Sequence, residues 1–323
     1  MSSLTPPVSV VIPTLRRPNL LRRALDSVFA QTYRSFEVIV VVDGPDEDTV
    51  AALHLLDDPR LRVLVNPHSL TAAGARNRGV AEARGTWVAF LDDDDAWLPD
   101  KLERQMAVAG DRDDVLITSL SRIITPITTY VCPVVVFDNA RPLDEYLFDR
   151  QTAFAGSSFI QTSSYLMPRA LFQRSPFRVD TPHDDWDFLL RLVKQFGARV
   201  ETVPEVLVDV YFEERRPSLS RTGTWAISLA WLDGLEPPLT RRAYSGFCLG
   251  VVGPRAANER AYAAFFPLLY KAFSRGAPRP MHVLAFLAFW VVPQNLRRQL
   301  RAVLGRRRPE AGRQIGVAAQ KRV

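Results

Sequence analysis

The chain has 323 residues, of which 47% are hydrophobic and 24% are charged, a balance typical of a folded protein and not of a disordered one. Its two cysteines, Cys132 and Cys248, lie far apart and have no partner histidine, so neither a disulfide framework nor a zinc site is predicted. A reducing compartment is therefore expected. The first residues contain no basic stretch followed by a long apolar core, and no secretory signal is predicted.

The net charge of +6 is concentrated at one end of the chain. Residues 294–323 hold nine basic side chains against one acid, a net +8, which leaves about −2 for the other 293 residues. This distribution argues against a nucleic-acid-binding face, in which basic and aromatic residues would alternate over a folded surface. The basic end follows an apolar segment, 283–293, that is too short to span a bilayer. The pattern indicates either attachment to an anionic membrane surface or a core helix with a solvated tail.

Apolar, β-branched segments open the chain and recur about every 26 residues, at 8–13, 36–42, 61–65 and 87–91. Helical patterns fill the gaps between them, at 19–31, 48–56 and 71–83. Strands without polar alternation are buried on both faces, so these segments predict a parallel sheet wrapped by helices. Ligands bind beyond the carboxyl ends of such strands. This rule places Pro13, Thr14, Asp43 and 92–95 along one edge of the sheet.

After residue 110 the predicted strands become shorter and mixed, at 115–120, 134–137 and 163–167, with a helix at 143–149. We interpret this part as the second half of one α/β domain that ends near residue 222. The remaining segment, 223–323, is predicted to be mostly helical.

Four consecutive carboxylates, Asp92 to Asp95, follow the strand predicted at 87–91. Adjacent like charges at the end of a buried strand repel one another unless a positive charge lies there. On an extended chain Asp92 and Asp94 point to one face, whereas Asp93 points to the other. Such a pair of hard oxygen ligands suits a divalent cation and the phosphates that it neutralises. A solvated acidic loop is the alternative interpretation.

Five segments, in this order, resemble the family 2 glycosyltransferases, which have the GT-A fold: VSVVIPTLRR, FEVIVVVDG, AGARNRGV, FLDDDDAWLPDKLERQ and HDDWDFLLRLVKQFG. The similarity spans about residues 8–220. The resemblance implies a GT-A domain at 1–222, a mixed and mainly parallel sheet wrapped by helices. Its half at 1–110 would bind the nucleotide sugar, and its half at 111–222 would hold the acceptor and the catalytic base. A helical C-terminal region follows at 223–323.

The resemblance assigns Asp92 and Asp94 to the family's D-x-D motif. It implies that Asp94 ligates Mn²⁺ or Mg²⁺ and that Asp92 lies close to the ribose and the metal. A cation there stabilises the charge that builds on the leaving diphosphate. Asp93 belongs to the same donor-binding run and is expected as a turn or packing residue, and Asp95 as a supporting partner or a helix cap.

Asp43 matches the position that contacts the nucleobase, where a carboxylate can accept the N3–H of uracil or thymine, which cytosine lacks. Gly44 stands where the family more often has a second acid. The resemblance also implies that Pro13 and Thr14 lie against the base and ribose, and that Arg76 pairs with the diphosphate or with the acidic run. The alternatives are a turn that opens at Asp43 and an exposed Arg76 on a tightly packed helix.

A second acidic cluster, Asp184, Asp185 and Asp187, lies at the start of a predicted helix. Residue-by-residue matching to the family assigns Asp185 as the general base, which accepts the proton of the acceptor hydroxyl as it attacks the anomeric carbon. Such a single displacement inverts the anomeric configuration. Asp184, which stands where the family has Glu, and a charge role at the helix N-terminus remain alternatives. An Arg/Ser-bearing loop at 214–221 either closes over the diphosphate or stays at the surface.

The predicted function is metal-dependent, inverting transfer of a sugar from a UDP- or dTDP-type donor to a hydroxyl of a glycan or lipid-linked acceptor in cell-envelope polysaccharide synthesis. The expected location is the cytoplasm, peripheral on the inner face of the cell membrane. A nucleotidyltransferase would open with a Gly-rich loop after the first strand, where this chain has IPTLRRP. A non-catalytic sugar-nucleotide-binding scaffold at the membrane is the other alternative, and an oligomer formed through the C-terminal helices stays open.

Overall fold

The computed structural model describes residues 7–149, 158–212 and 224–292, and the chain divides into two compact units. The first unit comprises Met1–Ile124, Ile160–Asp180 and Asp184–Phe212, and the second comprises Thr125–Phe159, Thr181–His183 and Glu213–Val323. The boundary predicted near residue 222 lies outside the described residues. Residues 125–159, predicted as part of the α/β domain, group with the helical unit instead.

The strands of the first unit are Val8–Thr14 (β1), Phe36–Val42 (β2), Leu61–Val65 (β3), Trp87–Phe90 (β4), Ala96–Trp97 (β5), Val115–Ile124 (β6), Leu166–Pro168 (β8) and Arg199–Tyr211 (β9). The second unit contains Thr129–Cys132 (β7). The first unit's strands form one mixed, mainly parallel sheet in the order β3-β2-β1-β4-β8-β6-β9-β5. The short strands β8 and β5 pair antiparallel to their neighbours, whereas β1 to β4 are parallel to one another.

The parallel strands β1, β2 and β4 are buried at every residue, as their mainly apolar composition predicts, and the buried Ser9 of β1 donates to the buried Glu37 of β2 at 2.7 Å. In the register of β1 with β2, Thr14 lies opposite Val42, and in that of β1 with β4, Val11 lies opposite Phe90. The carboxyl ends of all three strands therefore meet at one edge of the sheet. The segments that follow these strands contain most of the polar residues singled out in the sequence.

The helices of the first unit are Pro18–Phe29 (α1), Glu47–His54 (α2), Thr71–Ala81 (α3), Lys101–Ala109 (α4), Arg169–Arg174 (α6) and Asp184–Lys194 (α7). The predictions at 19–31, 48–56 and 71–83 are confirmed by α1, α2 and α3. In α1 the buried side chains, Leu21, Ala24, Leu25 and Val28, follow the spacing of one helix face.

The strand predicted at 134–137 is wrong. The strand of this region lies earlier, at β7, and the side chains of Val134 and Val135 are exposed. Phe137 is buried, but its ring packs on Tyr146 of the helix Leu143–Phe148 (α5). The β-branched residues thus lie outside a strand, and the adjacent Phe137 packs on a helix, which a local strand pattern does not reveal.

Helix α3 packs unusually close to the sheet. A Cβ atom built on Gly79 would lie 2.4 Å from Cγ1 of Val11 in β1 and 3.2 Å from Cγ2 of Val41 in β2. Only glycine lets the helix approach the two strands at this depth, because any side chain would overlap branched methyl groups of the core.

Replacing Gly79 with Ala is expected to lower the free energy of unfolding by about 1–3 kcal/mol, the usual cost of overpacking a closely packed core. The measurement is the thermal melting midpoint of the full chain. The matched control is Gly250→Ala in the second unit, where an added Cβ meets no atom within 4 Å. Because alanine is the better helix former, the control should retain or gain stability. Equal melting midpoints for the two variants would contradict the packing role of Gly79.

The second unit is mainly helical, as predicted for the C-terminal region. Its helices are α5, Trp225–Asp233 (α8), Arg241–Phe247 (α9), Gly253–Asn258 (α10), Phe265–Ser274 (α11) and Pro280–Val291 (α12), and a π-helical turn, Cys248–Val252, joins α9 to α10. Its core contains edge-to-face contacts of Phe247 with Phe148 and with His183. Across residues 7–149, 158–212 and 224–292, no helix combines the length and apolar character needed to cross a membrane.

Candidate active site

The four carboxylates after β4 fall into two environments. The side chains of Asp92 and Asp94 are about a quarter exposed, whereas Asp93 and Asp95 are buried. The chain is not extended here: residues 93 and 94 form a turn that the backbone N–H of Asp95 closes by donating to the carbonyl of Asp92 at 3.1 Å, and the turn produces the alternation. The two partly exposed carboxylates are the pair that the D-x-D assignment selects.

Asp93 fixes the acidic run to the end of β1. Its carboxylate accepts hydrogen bonds from Thr14 Oγ1 at 2.8 Å and from Arg17 Nη1 at 3.2 Å. Burial raises the pKa of Asp93 to about 6, and the neighbouring carboxylates of Asp94 and Asp92 add to the rise. Thr14 thus lies at the predicted edge of the sheet, and its hydroxyl donates a hydrogen bond to Asp93. These contacts agree with the packing role expected for Asp93.

Asp95 anchors the other side of the run. It accepts hydrogen bonds from Ser163 Oγ at 2.6 Å, Gln161 Nε2 at 3.1 Å and the backbone N–H of Tyr211 at 3.4 Å. Burial raises the pKa of Asp95 well above its usual range. Of its two expected roles, that of a supporting partner is the one observed, because the cap position of α4 is held by Asp100.

Arg76 connects the two acidic clusters. Its buried guanidinium donates from Nη2 to Asp92 Oδ1 at 2.5 Å and lies, through Nη1, 3.4 Å from Asp184 Oδ2. Burial opposes the charge of the guanidinium, but the carboxylates of Asp92, Asp184 and Asp185 raise the pKa of Arg76 overall. The alternative of an exposed Arg76 is therefore wrong. The guanidinium of Arg76 thus links the acidic run after β4 to the N-terminus of α7.

The three acids of α7 have different surroundings. Asp187 is buried and pairs with Nε of Arg191 at 2.7 Å, so it stabilises the helix from within. Asp184 is one-third exposed and faces Arg76. Burial, together with the charge of Asp184, raises the pKa of Asp185 to about 6, and Arg76 and the backbone N–H of Trp186 work against the rise. A carboxylate with a pKa moved toward neutrality is suited to accept a proton.

Asp43 directly follows β2, and most of the hydrogen-bond acceptor positions of its carboxylate are occupied. It accepts hydrogen bonds from Asn66 Nδ2 at 2.6 Å, Ser69 Oγ at 2.7 Å and the backbone N–H of Leu70 at 2.8 Å. A carboxylate offers about four acceptor positions, so one remains for a nucleobase N–H. Gly44 has φ +131°, a conformation that side-chain-bearing residues rarely adopt. An acid at this position would be strained in the backbone conformation that the structure has here.

Asn66 and Ser69 were missed by the sequence analysis. A signal was available, because both follow β3, whose carboxyl end lies at the same edge as that of β2. Pro13 is buried in β1 opposite Val41, directly before Thr14. The loop predicted at 214–221 and the basic end at 294–323 lie outside the described residues.

The described carboxylates can hold a divalent cation only together with oxygen atoms of a substrate. Within the described parts of the chain, no three His, Cys, Asp or Glu side chains are grouped to hold a metal ion. Mg²⁺ in nucleotide sites is commonly held by one or two carboxylates together with substrate phosphates. Asp92 and Asp94 supply such a pair, and Arg76 and Arg17, at 2.5 and 3.6 Å, balance their charge. The residues therefore fit a cation that arrives with a diphosphate.

The mixed, mainly parallel sheet with flanking helices is the fold of the GT-A glycosyltransferases. The family model described as Glycosyl transferase family 2 matches residues 9–176, more than half of the chain. The chain belongs to glycosyl transferase family 2. The membership predicted from the five sequence segments is confirmed.

Two curated relatives illustrate the similarity. The amylovoran biosynthesis glycosyltransferase AmsB of Erwinia amylovora is 29% identical over 248 residues, which cover 72% of this chain and 79% of AmsB. The Escherichia coli protein WfgD, a UDP-Glc:alpha-D-GlcNAc-diphosphoundecaprenol beta-1,3-glucosyltransferase, is 35% identical over 101 residues, which cover 31% of this chain and 40% of WfgD.

Solved structures confirm the predicted GT-A fold. S. aureus TarS 1–349 in complex with UDP-GlcNAc matches with a TM-score of 0.55 at 18% identity, over 90% of this chain and 91% of TarS 1–349. The mannosyltransferase PcManGT from Pyrobaculum calidifontis, in complex with GDP-Man and Mn²⁺, matches with a TM-score of 0.50 at 19% identity, over 98% and 81% of the two chains. At these identities the likeness establishes the fold.

Proposed function

We propose that this glycosyltransferase moves a sugar from a nucleoside-diphosphate sugar to a hydroxyl of a glycan or lipid-linked acceptor, with inversion at the anomeric carbon. The observation that supports this most strongly is the pair of contacts made by Arg76. Its guanidinium lies between Asp92, in the run suited to a metal and diphosphate, and Asp184, the neighbour of the candidate base. Donor binding and proton transfer are thus assigned to neighbouring groups at one edge of the sheet.

The donor half of the site consists of Asp43, Pro13, Thr14 and the acidic run. Asp94 and Asp92 would hold Mn²⁺ or Mg²⁺, which supplies positive charge for the leaving diphosphate. The remaining acceptor position of Asp43 suits the N3–H of uracil or thymine, so a UDP- or dTDP-sugar is the proposed donor. One relative and one solved structure support a sugar nucleotide as the donor. The name of WfgD gives UDP-Glc, and TarS 1–349 was solved with UDP-GlcNAc.

The reaction itself requires a base and a fixed geometry. Asp185 would accept the proton of the acceptor hydroxyl while that oxygen bonds to the anomeric carbon. The bond from the anomeric carbon to the diphosphate oxygen breaks on the opposite side, and the electron pair leaves with the diphosphate. Arg76 positions Asp184 and Asp92 through its two ends and so maintains the spacing of the two clusters.

The acceptor is proposed from the relatives. AmsB is named for amylovoran biosynthesis, and the acceptor in the name of WfgD is a sugar on diphosphoundecaprenol. We extend this to a lipid-linked glycan of the cell envelope for the present chain. Such an acceptor would place the enzyme in the cytoplasm, peripheral on the inner face of the membrane.

A thermal-shift screen tests the donor assignment. UDP or dTDP with Mn²⁺ is expected to raise the melting midpoint by several degrees, because a ligand at 100 times its Kd stabilises a protein by about 2.7 kcal/mol. The same nucleotides without Mn²⁺ should shift it less, and CDP should shift it least because cytosine lacks the N3–H. No shift with any nucleoside diphosphate, or the largest shift with CDP, would overturn the proposed donor site.

A further inference from the structure

The outer face of α11 is aromatic and exposed. Tyr262, in the 3₁₀ turn before the helix, and Phe266, Tyr270 and Phe273 within it are 58–77% exposed. Positions 266, 270 and 273 follow the spacing of one helix face, and the opposite face buries Leu268 and Ala272 in the unit. Single exposed apolar residues are ordinary, but a stripe of large aromatic side chains marks an interaction surface.

Helix α12 presents a second exposed apolar face. Leu284, Leu287 and Val291 are exposed at the spacing of one face, and Phe286 is buried on the other. The sequence of α12, PMHVLAFLAFWV, contains no Asp, Glu, Lys or Arg. The start of the helix is held in place because Arg279 Nε donates to the buried carboxylate of Asp149 at 2.8 Å.

Contacts between aromatic rings connect the exposed face of α11 to that of α12. The ring of Trp290 in α12 lies 6.1 Å from that of Tyr262 and 5.4 Å from that of Phe265. The Phe265 ring in turn lies 5.1 Å from that of Phe266. We call the exposed side chains of the 3₁₀ turn, α11 and α12 the aromatic face.

The charge of the sequence that follows α12 indicates which partner covers the aromatic face. Directly after α12 the sequence enters residues 294–323, with their net charge of +8. Aromatic side chains favour the interface between lipid and water, and clustered arginines favour anionic head groups. Buried apolar area and attraction to anionic lipids add in surface binding, and the two features are adjacent in this sequence. Two copies of a chain with a net charge of +6 repel each other, which opposes self-association.

We propose that the aromatic face binds the enzyme to the surface of an anionic phospholipid bilayer. Its aromatic and aliphatic side chains enter the interface, and the net charge of +8 in the sequence of residues 294–323 favours anionic lipids. The choice of a bilayer as partner rests on the proposed function, since a lipid-linked acceptor is presented at a membrane. Vesicle binding itself requires neither donor nor catalysis.

Co-sedimentation of the full chain with vesicles tests the surface. The wild type is expected to sediment with vesicles of equal parts phosphatidylcholine and phosphatidylglycerol, and less with phosphatidylcholine alone. The variant Phe266→Ser/Tyr270→Ser/Leu284→Ser should lower partitioning by about tenfold or more, because large side chains leave the interface. The matched control is Leu55→Ser in the first unit, which removes a side chain that is 86% exposed outside the aromatic face.

A charge variant and two further readouts complete the test. Arg306→Gln/Arg307→Gln/Arg308→Gln should weaken binding to the anionic vesicles and leave the binding to phosphatidylcholine unchanged. The triple serine variant should keep the thermal shift with UDP and Mn²⁺, so that loss of vesicle binding is separable from loss of donor binding. Wild-type-like vesicle binding by the serine variant would overturn the proposal. A wild-type dimer that this variant converts to a monomer, with vesicle binding unchanged, would instead assign the face to a second copy.

Discussion

Replacing Asp185 with Asn is expected to lower kcat by about 10²- to 10⁴-fold, the usual contribution of a positioned general base. The amide cannot take the proton of the acceptor hydroxyl, yet it has nearly the same shape as the carboxyl group. Burial already disfavours the charge of Asp185, so its loss should not destabilise the fold. The measurements are sugar transfer from the donor and the thermal shift with UDP and Mn²⁺, which should be preserved.

The neighbouring variant Asp184→Asn is the matched control. Asp184 contacts Arg76 and is expected to act through that arginine, so its loss should cost less activity. The pH profile gives an independent readout, because only the ionised form of Asp185 accepts a proton. With the pKa of Asp185 at about 6, raised by burial and Asp184 against Arg76, wild-type kcat/KM should fall about tenfold per pH unit below that value. An active Asp185→Asn enzyme beside an inactive Asp184→Asn enzyme would transfer the role of base to Asp184.

The variant Asp94→Asn is expected to lower kcat/KM by about 10²-fold or more and to remove the Mn²⁺-dependent part of the thermal shift with UDP. An amide is a weaker ligand than a carboxylate for a hard cation. The substitution also relieves repulsion within the acidic run, since Asp94 contributes to the raised pKa of Asp93. The melting midpoint without ligand should therefore not fall.

A carboxylate of α1 provides the control for Asp94. Asp26 is exposed and pairs only with the exposed Arg22 of its own helix among the described ion pairs, so Asp26→Asn should change neither activity nor the Mn²⁺ response. Titration of Mn²⁺ into chelator-treated enzyme should restore transfer in this control and not in Asp94→Asn. Undiminished transfer by the Asp94 variant, or by the wild type in excess chelator, would remove the metal from the proposed mechanism.

The first half of the fold was predictable because its strands carry their signal locally. Strands β1, β2 and β4 are buried on both faces, so their sequences are mainly apolar and show no polar alternation. Strand β9 lacks such a signal, since it contains several acids and Pro204. It continues past the proline because its pairing with β6 shifts, from Val203 opposite Ser119 to Val206 opposite Leu120. Only the partner strand reveals that irregularity, and a local pattern cannot.

The candidate site likewise has a part that the local sequence predicts and a part that depends on remote contacts. The sequence predicts different surroundings for Asp92 and Asp93 from strand geometry. The structure has a partly exposed Asp92 and a buried Asp93, but in a turn closed by the backbone N–H of Asp95. Arg76 was expected at the acidic run, but the other partners of these carboxylates were not predicted, because they come from remote parts of the chain. Ser163 reaches Asp95 across 68 positions, and Arg17 reaches Asp93 across 76. Such contacts exist only once the sheet has brought the segments together.

The depth at which α3 rests on the sheet has a consequence for turnover. Gly79 touches the strands, and Arg76 lies three positions earlier, so the two share one side of the helix. A methyl group at position 79 would lift the helix and draw the guanidinium away from both carboxylates that it spans. Displacements of about 1 Å can cost a reaction two orders of magnitude in rate. The geometry of the proposed site thus depends on a residue whose neighbours are the core side chains Val11 and Val41.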